Sequence, residues 1–380
     1  MRRLLRSFGL VVLGAGLAPL AAAVPVPKPP SIEAKAFILI DYASGRVLAE
    51  NTADARMEPA SLTKVMTAYV VFRALREKRL KLDDAVTISE HAWRSEGSRT
   101  FVEVGKQVPV EMLIQGMIVQ SGNDASIALA EKVGGTESAF VEMMNTYAKG
   151  LGMNATHFAD SSGLPGPGHY TTARDMATLA RALIRDFPDY YHYYSLHDFL
   201  WNNIRQENRN GLLLSDPSVD GIKTGHTETA GYCLMTSANR NGMRLISVVL
   251  GSPSIKAREG GSAALLNYGY TFYESAKIKS ARELVLKPRV YKGGVGTVGI
   301  GPAQDAMVTV PRGDAATLRT SARVNDPLIA PLALNQAVGE LTVIGPGGDV
   351  VLRVALYPLT AVAVGGWWSR LVDTVALWFH

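Results

Sequence analysis

The 380-residue sequence contains a single cysteine, Cys233. One cysteine cannot form a disulfide within the chain, so stability must come from a buried hydrophobic core, which this length can supply. Cys233 lies in the apolar run Y-C-L-M, which favours a packed and unreactive thiol. The seven histidines show no ligand spacing such as H-x-x-x-H. The sequence therefore predicts neither a metal site nor a cofactor.

The sequence also lacks the interleaved basic and aromatic residues that nucleic-acid binding needs, although its formal net charge is +5. Residues 1–23 have a basic start, an apolar run and a small-residue end, with Ala21 and Ala23 placed for cleavage. This is typical of a secretory signal peptide, and an uncleaved anchor is the alternative. Its removal would take away three arginines and lower the charge to +2. We expect an exported protein that does not bind nucleic acid.

No internal repeat and no long low-complexity run divides the remaining chain. A Pro-rich extended spacer, residues 24–31, comes first. Residues 32–275 then read as strands, helices and strands again, which predicts an α+β domain with helices beside an antiparallel sheet. From about residue 276 to 360, short apolar and polar alternations separated by Gly and Pro predict a small all-β domain.

The run P-A-S-L-T-K places Ser61 three residues before Lys64. Serine is a favoured helix N-cap, so a simple cap is the plain alternative. However, positions i and i+3 share a helix face, and the helix that follows is apolar nearly all round. Burial would disfavour the charged form of Lys64, and a neutral lysine can accept the proton of a neighbouring serine. The pattern therefore predicts a nucleophile and its base.

Two further triplets occur once each. S-G-N stands at Ser121, Gly122 and Asn123 after an apolar helix, and K-T-G stands at Lys223, Thr224 and Gly225 on a predicted strand. Alone, the first indicates a turn and the second a close backbone approach. S-x-x-K followed by an S-x-N triplet and K-T-G is the signature of serine enzymes that interact with penicillin.

These motifs belong to a longer resemblance. I-E-A-K-A-F-I-L-I-D-Y-A-S-G-R-V-L-A-E, P-A-S-L-T-K, S-G-N-D-A, G-I-K-T-G-H-T and K-A-R-E closely resemble the low-molecular-mass penicillin-binding proteins of class C, the serine-type D-alanyl-D-alanine carboxypeptidases. The resemblance runs from residue 32 to the C-terminus. It departs at Ser126 and Ser162, where some members carry Cys and His, and in a shorter S-E-H-A-W-R-S-E-G-S-R-T-F-V-E-V-G segment.

The resemblance implies a penicillin-recognising fold and removal of the terminal D-alanine from peptidoglycan stem pentapeptides, with a role in peptidoglycan biosynthesis and cell shape. It implies that Ser121 relays a proton and Asn123 orients Lys64, while the N–H groups of Ser61 and His226 form the oxyanion hole. A further set would hold the terminal carboxylate of the substrate: Lys223, Thr224, Gly225, Arg258 and Arg209. For Arg258 a solvated helix charge is the alternative. β-Lactam antibiotics would acylate Ser61.

Two other functions stay open at this point. A β-lactamase would carry an additional Glu that drives deacylation, and we find no convincing E-x-x-L-N element. An inactive protein that shapes the wall by docking is the second, and the three intact motifs argue against it. Turnover of a stem pentapeptide compared with turnover of penicillin separates carboxypeptidase from β-lactamase.

The last residues, 365–380, predict an amphipathic helix that lies on a membrane surface. Most of its apolar residues fall on one side at helical spacing, with polar residues opposite. A helix of this length is too short to cross a hydrocarbon core of about 30 Å. We expect a peripheral protein on the periplasmic face of the inner membrane, and a helix docked on the β domain is the alternative.

Overall fold

The structure is a computed structural model that describes residues 25–379. The predicted signal peptide lies outside the described residues. The α+β domain with helices beside an antiparallel sheet is confirmed, as is the β-rich domain that follows it.

The first domain has long strands at both ends and mainly helices between them, as the sequence patterns indicate, but two short strand pairs also occur among the helices. The strands of the first domain are β1 (Ala36–Asp41), β2 (Val47–Asn51), β3 (Ala85–Thr87), β4 (Gln107–Pro109), β5 (Asp198–Trp201), β6 (Ile204–Glu207), β7 (Val219–Thr227), β8 (Gly231–Arg240) and β9 (Met243–Ser252). Its helices are α1 (Thr63–Arg76), α2 (Glu90–Trp93), α3 (Val110–Gln115), α4 (Asn123–Gly134), α5 (Glu137–Gly150), α6 (Ala173–Asp186), α7 (Pro188–Tyr191), α8 (Gly211–Ser215) and α9 (Ile255–Phe272).

A five-stranded antiparallel sheet in the order β2-β1-β9-β8-β7 forms the centre of this domain. Asn241 and Gly242 connect β8 to β9, and both have positive φ, as a tight hairpin turn requires. Alternate residues of β1 enter two different cores: Ile38 and Ile40 face one, Phe37 and Leu39 the other. The sheet is therefore covered by helices on both faces.

Helix α1 lies inside the larger core and contacts α4, α5 and α6. Its residues from Thr63 to Phe72 are all buried. This explains why the segment has no polar face: a helix surrounded by other elements loses stability from any unpaired polar side chain. The burial also fixes the start of the helix, where Ser61 and Lys64 lie.

The second domain consists mainly of short strands. They are β10 (Tyr273–Lys279), β11 (Val290–Tyr291), β12 (Ile300–Pro302), β13 (Ala306–Pro311), β14 (Arg319–Val324), β15 (Leu328–Ile329), β16 (Gly339–Ile344) and β17 (Val350–Pro358). A four-stranded sheet, β12-β17-β16-β14, contributes Ile300, Leu341 and Leu356 to its core, and the connecting segments and short strands supply the rest. Hydrogen bonds join the two domains, because Ser275 Oγ donates to Asp41 Oδ2 at 2.7 Å and Ser44 Oγ lies 2.6 Å from Thr309 Oγ1.

The described chain ends in helix α10 (Trp367–Ala376) and a short 3₁₀ turn, Leu377–Phe379. Within residues 25–379, no helix has both the length and the apolar character needed to cross a bilayer.

Candidate active site

Ser61 lies in a 3₁₀ turn, Ala60–Leu62, that leads directly into α1. The next helical turn carries Lys64, whose Nζ is 3.0 Å from Ser61 Oγ. The preceding residue, Ala60, has φ +48, an uncommon conformation for a residue with a Cβ. Strained backbone of this kind persists only where the surrounding packing holds it, which is common beside catalytic groups.

The Lys64 amine has two other partners. Nζ donates to Asn123 Oδ1 at 2.6 Å and to the Ser162 carbonyl at 2.5 Å. A neutral amine has two N–H groups and one lone pair. If the two N–H groups point to these two oxygens, the lone pair is left to face Ser61 Oγ. The geometry can therefore accept the proton of the Ser61 hydroxyl.

Burial is the main reason why the pKa of Lys64 falls from 10.5 to about 7. The carboxylates of Asp160 and Asp124 oppose this shift, and the Arg209 guanidinium adds to it. A base with a pKa near neutrality is unprotonated in a large share of molecules at pH 7, which suits proton abstraction.

Ser121 follows a π turn, Gly116–Gln120, and has φ +66. This left-handed residue directs the chain into α4, which begins at Asn123. The Ser121 hydroxyl is buried and has no hydrogen-bond partner within the described residues. An unpaired buried hydroxyl beside a nucleophile is available for a proton of the substrate.

Lys223 lies on β7, and its side chain is buried. Its Nζ donates to the Thr224 carbonyl at 3.1 Å. Burial, followed by the repulsion from Lys64, holds the pKa of Lys223 well below its ordinary value. Thr224, the next residue on β7, lines the cavity that Ser61 lines, and the Lys223 amine lies within electrostatic range of Lys64, Arg209 and Arg258.

This cavity has a volume of about 630 Å³. Most of the residues singled out in the sequence line it: Ser61, Ser121, Asn123, Thr224, Gly225, His226, Arg209 and Arg258. Arg209 is held at its mouth, where its guanidinium donates to Gln120 Oε1 and Ser98 Oγ at 3.0 and 2.8 Å. Arg258 is buried rather than solvated, and burial lowers its pKa from the usual value. Both guanidinium groups are partly desolvated and bond to neutral oxygens, which makes this cavity suitable for an anion.

Strand β7 is an edge strand of the central sheet, so its outer backbone groups have no neighbouring strand to pair with among the described residues. This edge packs against the Ser61 turn: a Cβ added at Gly225 would lie 3.2 Å from the Ser61 nitrogen. A side chain at 225 would make a tight contact there, and glycine avoids it. The arrangement brings the backbone of β7 beside the Ser61 amide, where an oxyanion would form.

Two residues at this site, Tyr232 and Asp124, were not predicted from the sequence. Tyr232 lines the cavity, and its ring contacts His226 at 4.1 Å between centroids and the Arg258 guanidinium at 5.8 Å. Asp124 accepts the backbone N–H groups of residues 100–102 and thereby holds a loop at the mouth. The fourth residue of S-G-N-D was a signal for this role, whereas no local pattern marks Tyr232.

Comparisons with known proteins agree with this geometry. A family model described as D-alanyl-D-alanine carboxypeptidase (peptidase S11) matches residues 23–254, and one described as penicillin-binding protein 5, C-terminal domain, matches residues 273–364. The chain is 43% identical to the D-alanyl-D-alanine carboxypeptidase DacA of Escherichia coli K12, over 93% of this chain and 90% of that protein. DacC of the same organism is 44% identical, over 92% and 90%. Penicillin binding protein 5 from Haemophilus influenzae is a similar solved structure, with a TM-score of 0.84, 41% identity, and coverage of 89% of this chain and 99% of that one.

Proposed function

The chain belongs to the peptidase S11 family of serine-type D-alanyl-D-alanine carboxypeptidases, and we propose that it cleaves the bond between the two D-alanines of a peptidoglycan stem pentapeptide through an acyl-enzyme on Ser61. One observation carries the proposal: the buried Lys64 amine has oxygen partners for two N–H groups and lies 3.0 Å from Ser61 Oγ. An amine held in this way is a base directed at one hydroxyl.

In the first step the Ser61 oxygen attacks the carbonyl carbon of the penultimate D-alanine while Lys64 takes the hydroxyl proton. The negative charge on the carbonyl oxygen is stabilised by the backbone N–H groups of Ser61 and His226, and the loss of one such donor typically costs about 3 kcal/mol. The proton held by Lys64 is then relayed through the Ser121 hydroxyl to the leaving nitrogen, which leaves Lys64 neutral again. The terminal D-alanine departs, and water, activated by Lys64, hydrolyses the ester.

The free carboxylate of the leaving D-alanine binds between Thr224, Arg209 and Arg258. The Lys223 amine, buried on the same strand as Thr224, helps to hold this carboxylate as a hydrogen-bond donor. The positions of Arg209 and Arg258 in the lining of the cavity support this assignment. β-Lactam antibiotics have a reactive carbonyl and a carboxylate at a similar separation, so they acylate Ser61 by the same first step.

Helix α10 supports a peripheral membrane location at the periplasmic face of the inner membrane. Its polar side contacts the β domain, since Asp373 accepts the Lys292 N–H at 2.5 Å and pairs with Arg289 at 3.1 Å. Its apolar side faces outward, with Trp367 74% exposed, and Trp378 in the turn that follows is 78% exposed. Ten residues span only about 15 Å, so the helix would lie in the interface rather than cross the bilayer.

The test of the catalytic proposal is Ser61→Ala, assayed for release of D-alanine from a stem pentapeptide and for capture of a labelled penicillin. Both should be abolished, while Ser138→Ala, an exposed serine, should retain both. Label recovered on a peptide without Ser61 would refute the assignment. Turnover of penicillin faster than turnover of the pentapeptide would indicate a β-lactamase instead.

For the membrane proposal, a chain without residues 365–380 should leave the membrane fraction and keep its activity on a small soluble peptide. Retention on membranes would contradict the role of this helix. Loss of activity would show that the segment supports the catalytic domain.

A further inference from the structure

A turn at residues 159–163 supplies one of the two oxygens bonded to Lys64, and the Asp160 carboxylate accepts three hydrogen bonds from this turn. Asp160 Oδ1 accepts the Ser162 N–H at 2.6 Å, the Gly163 N–H at 2.5 Å and the Ser162 hydroxyl at 3.1 Å. The Ser162 carbonyl, in the same turn, accepts from Lys64 Nζ. The orientation of that carbonyl therefore depends on Asp160.

The turn also packs closely against the backbone of Ala60 and Ser61. Gly163 has φ +93, and a Cβ built there would lie 1.9 Å from the Ala60 carbonyl oxygen and 3.0 Å from the Ser61 nitrogen. A displacement of the turn would consequently move either the base or the backbone that holds Ser61. Misplacement of about 1 Å can cost a hundredfold in rate.

A second connection runs from the same carboxylate to α1. Asp160 Oδ2 is 3.3 Å from His169 Nδ1, and His169 Nε2 is 2.9 Å from the Thr63 hydroxyl. Thr63 immediately precedes Lys64, and His169 is buried. Asp160 therefore also approaches, through His169, the residue that precedes the base in α1.

We propose that Asp160 is a positioning residue of the acylation step: it holds the Ser162 carbonyl against Lys64, and its negative charge balances the cations around that amine. The inference rests on the proposed role of Lys64 as base.

The surroundings agree with a charged Asp160. Although partial burial opposes it, His169 and the backbone N–H groups of the turn lower the pKa of Asp160 to about 2. After burial, the charge of Asp160 is the largest influence on the pKa of Lys64, and it raises that pKa. The other charged groups near the amine are Asp124, Arg209 and Lys223. On the outer side of the turn, Glu137 bonds to Ser161 and pairs with His91.

The experiment measures the rate of acylation by a fluorescent penicillin between pH 5 and 9 for the full chain. Asp160→Asn keeps an oxygen that can accept from the turn but removes the charge. The acid limb of the profile is the fall in acylation rate at low pH, where Lys64 becomes protonated. Its midpoint should move about one pH unit lower in this variant, the effect typical of one nearby opposite charge. At pH 5 the variant should then be about tenfold faster relative to its own plateau, since one pKa unit corresponds to a factor of ten. Asp160→Ala should show the same shift and also a plateau at least about tenfold lower, because the turn loses its acceptor.

Two control variants show whether the shift is specific to Asp160. Asp54→Asn removes an exposed carboxylate that pairs with Arg174 in the first turn of α6 and is not among the charges that act on Lys64, so it should leave the midpoint unchanged. His169→Gln should keep the acid limb, because Lys64 carries it; loss of the limb in this variant would overturn the inference. An unmoved midpoint in Asp160→Asn would also overturn it, whether or not the rate falls uniformly. If the acylation rate of the wild type does not fall at low pH, the assignment of Lys64 as base is refuted. If the wild-type rate does fall but Asp160→Asn does not shift the midpoint, only the inference about Asp160 is refuted.

Discussion

The buried amine of Lys64 should cost folding stability, and replacing it by an apolar residue of similar length tests this directly. The folded-state pKa of about 7 lies below the value of 10.5 for an accessible lysine, with burial as the first cause. The unfolded chain therefore binds more protons than the folded chain between these two pH values. By linkage, the free energy of unfolding rises as the pH increases through this window, and the cost is fully present below pH 7.

The magnitude follows from the shift. A difference of about 3.5 pKa units corresponds to about 5 kcal/mol, of which about 3 kcal/mol is regained between pH 6 and 9.5. In Lys64→Met this contribution disappears. The variant leaves Asn123 Oδ1 and the Ser162 carbonyl without their donor, at about 1–3 kcal/mol each, so its net stability at one pH can change in either direction. The dependence of the difference on pH is the diagnostic quantity.

Urea unfolding of wild type and Lys64→Met, followed by far-UV circular dichroism from pH 6 to 9.5, measures this difference. The variant should lose about 3 kcal/mol of stability relative to the wild type as the pH rises through this range. Lys149→Met removes an exposed amine and serves as the matched control, with a difference that stays constant. A pH-independent difference for Lys64→Met would refute the claim that this amine is neutral in the folded enzyme.

Three other changes have defined outcomes. Gly163→Ala should reduce acylation by labelled penicillin about a hundredfold, because its Cβ would collide with the carbonyl before the nucleophile, whereas Gly166→Ala has free space and should acylate normally. Asp124→Ala should lower the free energy of unfolding by about 3 kcal/mol or more, since backbone N–H groups of residues 100–102 lose a buried acceptor; an unchanged urea midpoint would contradict this. Arg209→Ala should raise KM for peptides with a free terminal carboxylate much more than for their amides, and equal losses for both would count against its role in binding that carboxylate.

Local patterns in the sequence determined the elements that carry the site. The apolar run after Ser61 could only be a buried helix, and the i, i+3 spacing puts Lys64 beside the hydroxyl on any such helix. The N-G dipeptide at Asn241 and Gly242, between two apolar runs, is a local signal for the hairpin that β8 and β9 form. S-G-N and K-T-G, together with S-x-x-K, indicated the enzyme class because all three must meet around one acyl group. These inferences required only short-range geometry and the resemblance of the motifs.

Tertiary structure decided how these parts are tuned. Which oxygens bond to Lys64 depends on Ser162, 98 positions along the chain, and on the Asp160 turn that orients it. That Arg209 lines the same cavity as Ser61 depends on how the segment before α8 packs, and no local sequence pattern specifies it. The periodicity of the C-terminal segment was enough to predict a helix. The contacts of Asp373 with Arg289 and the Lys292 N–H, which only the tertiary structure shows, place the polar side of this helix on the β domain and leave the tryptophans outward. Desolvation and charge act through space between residues distant in sequence, so the pKa of a base is a property of the packed fold rather than of the segment that contains it.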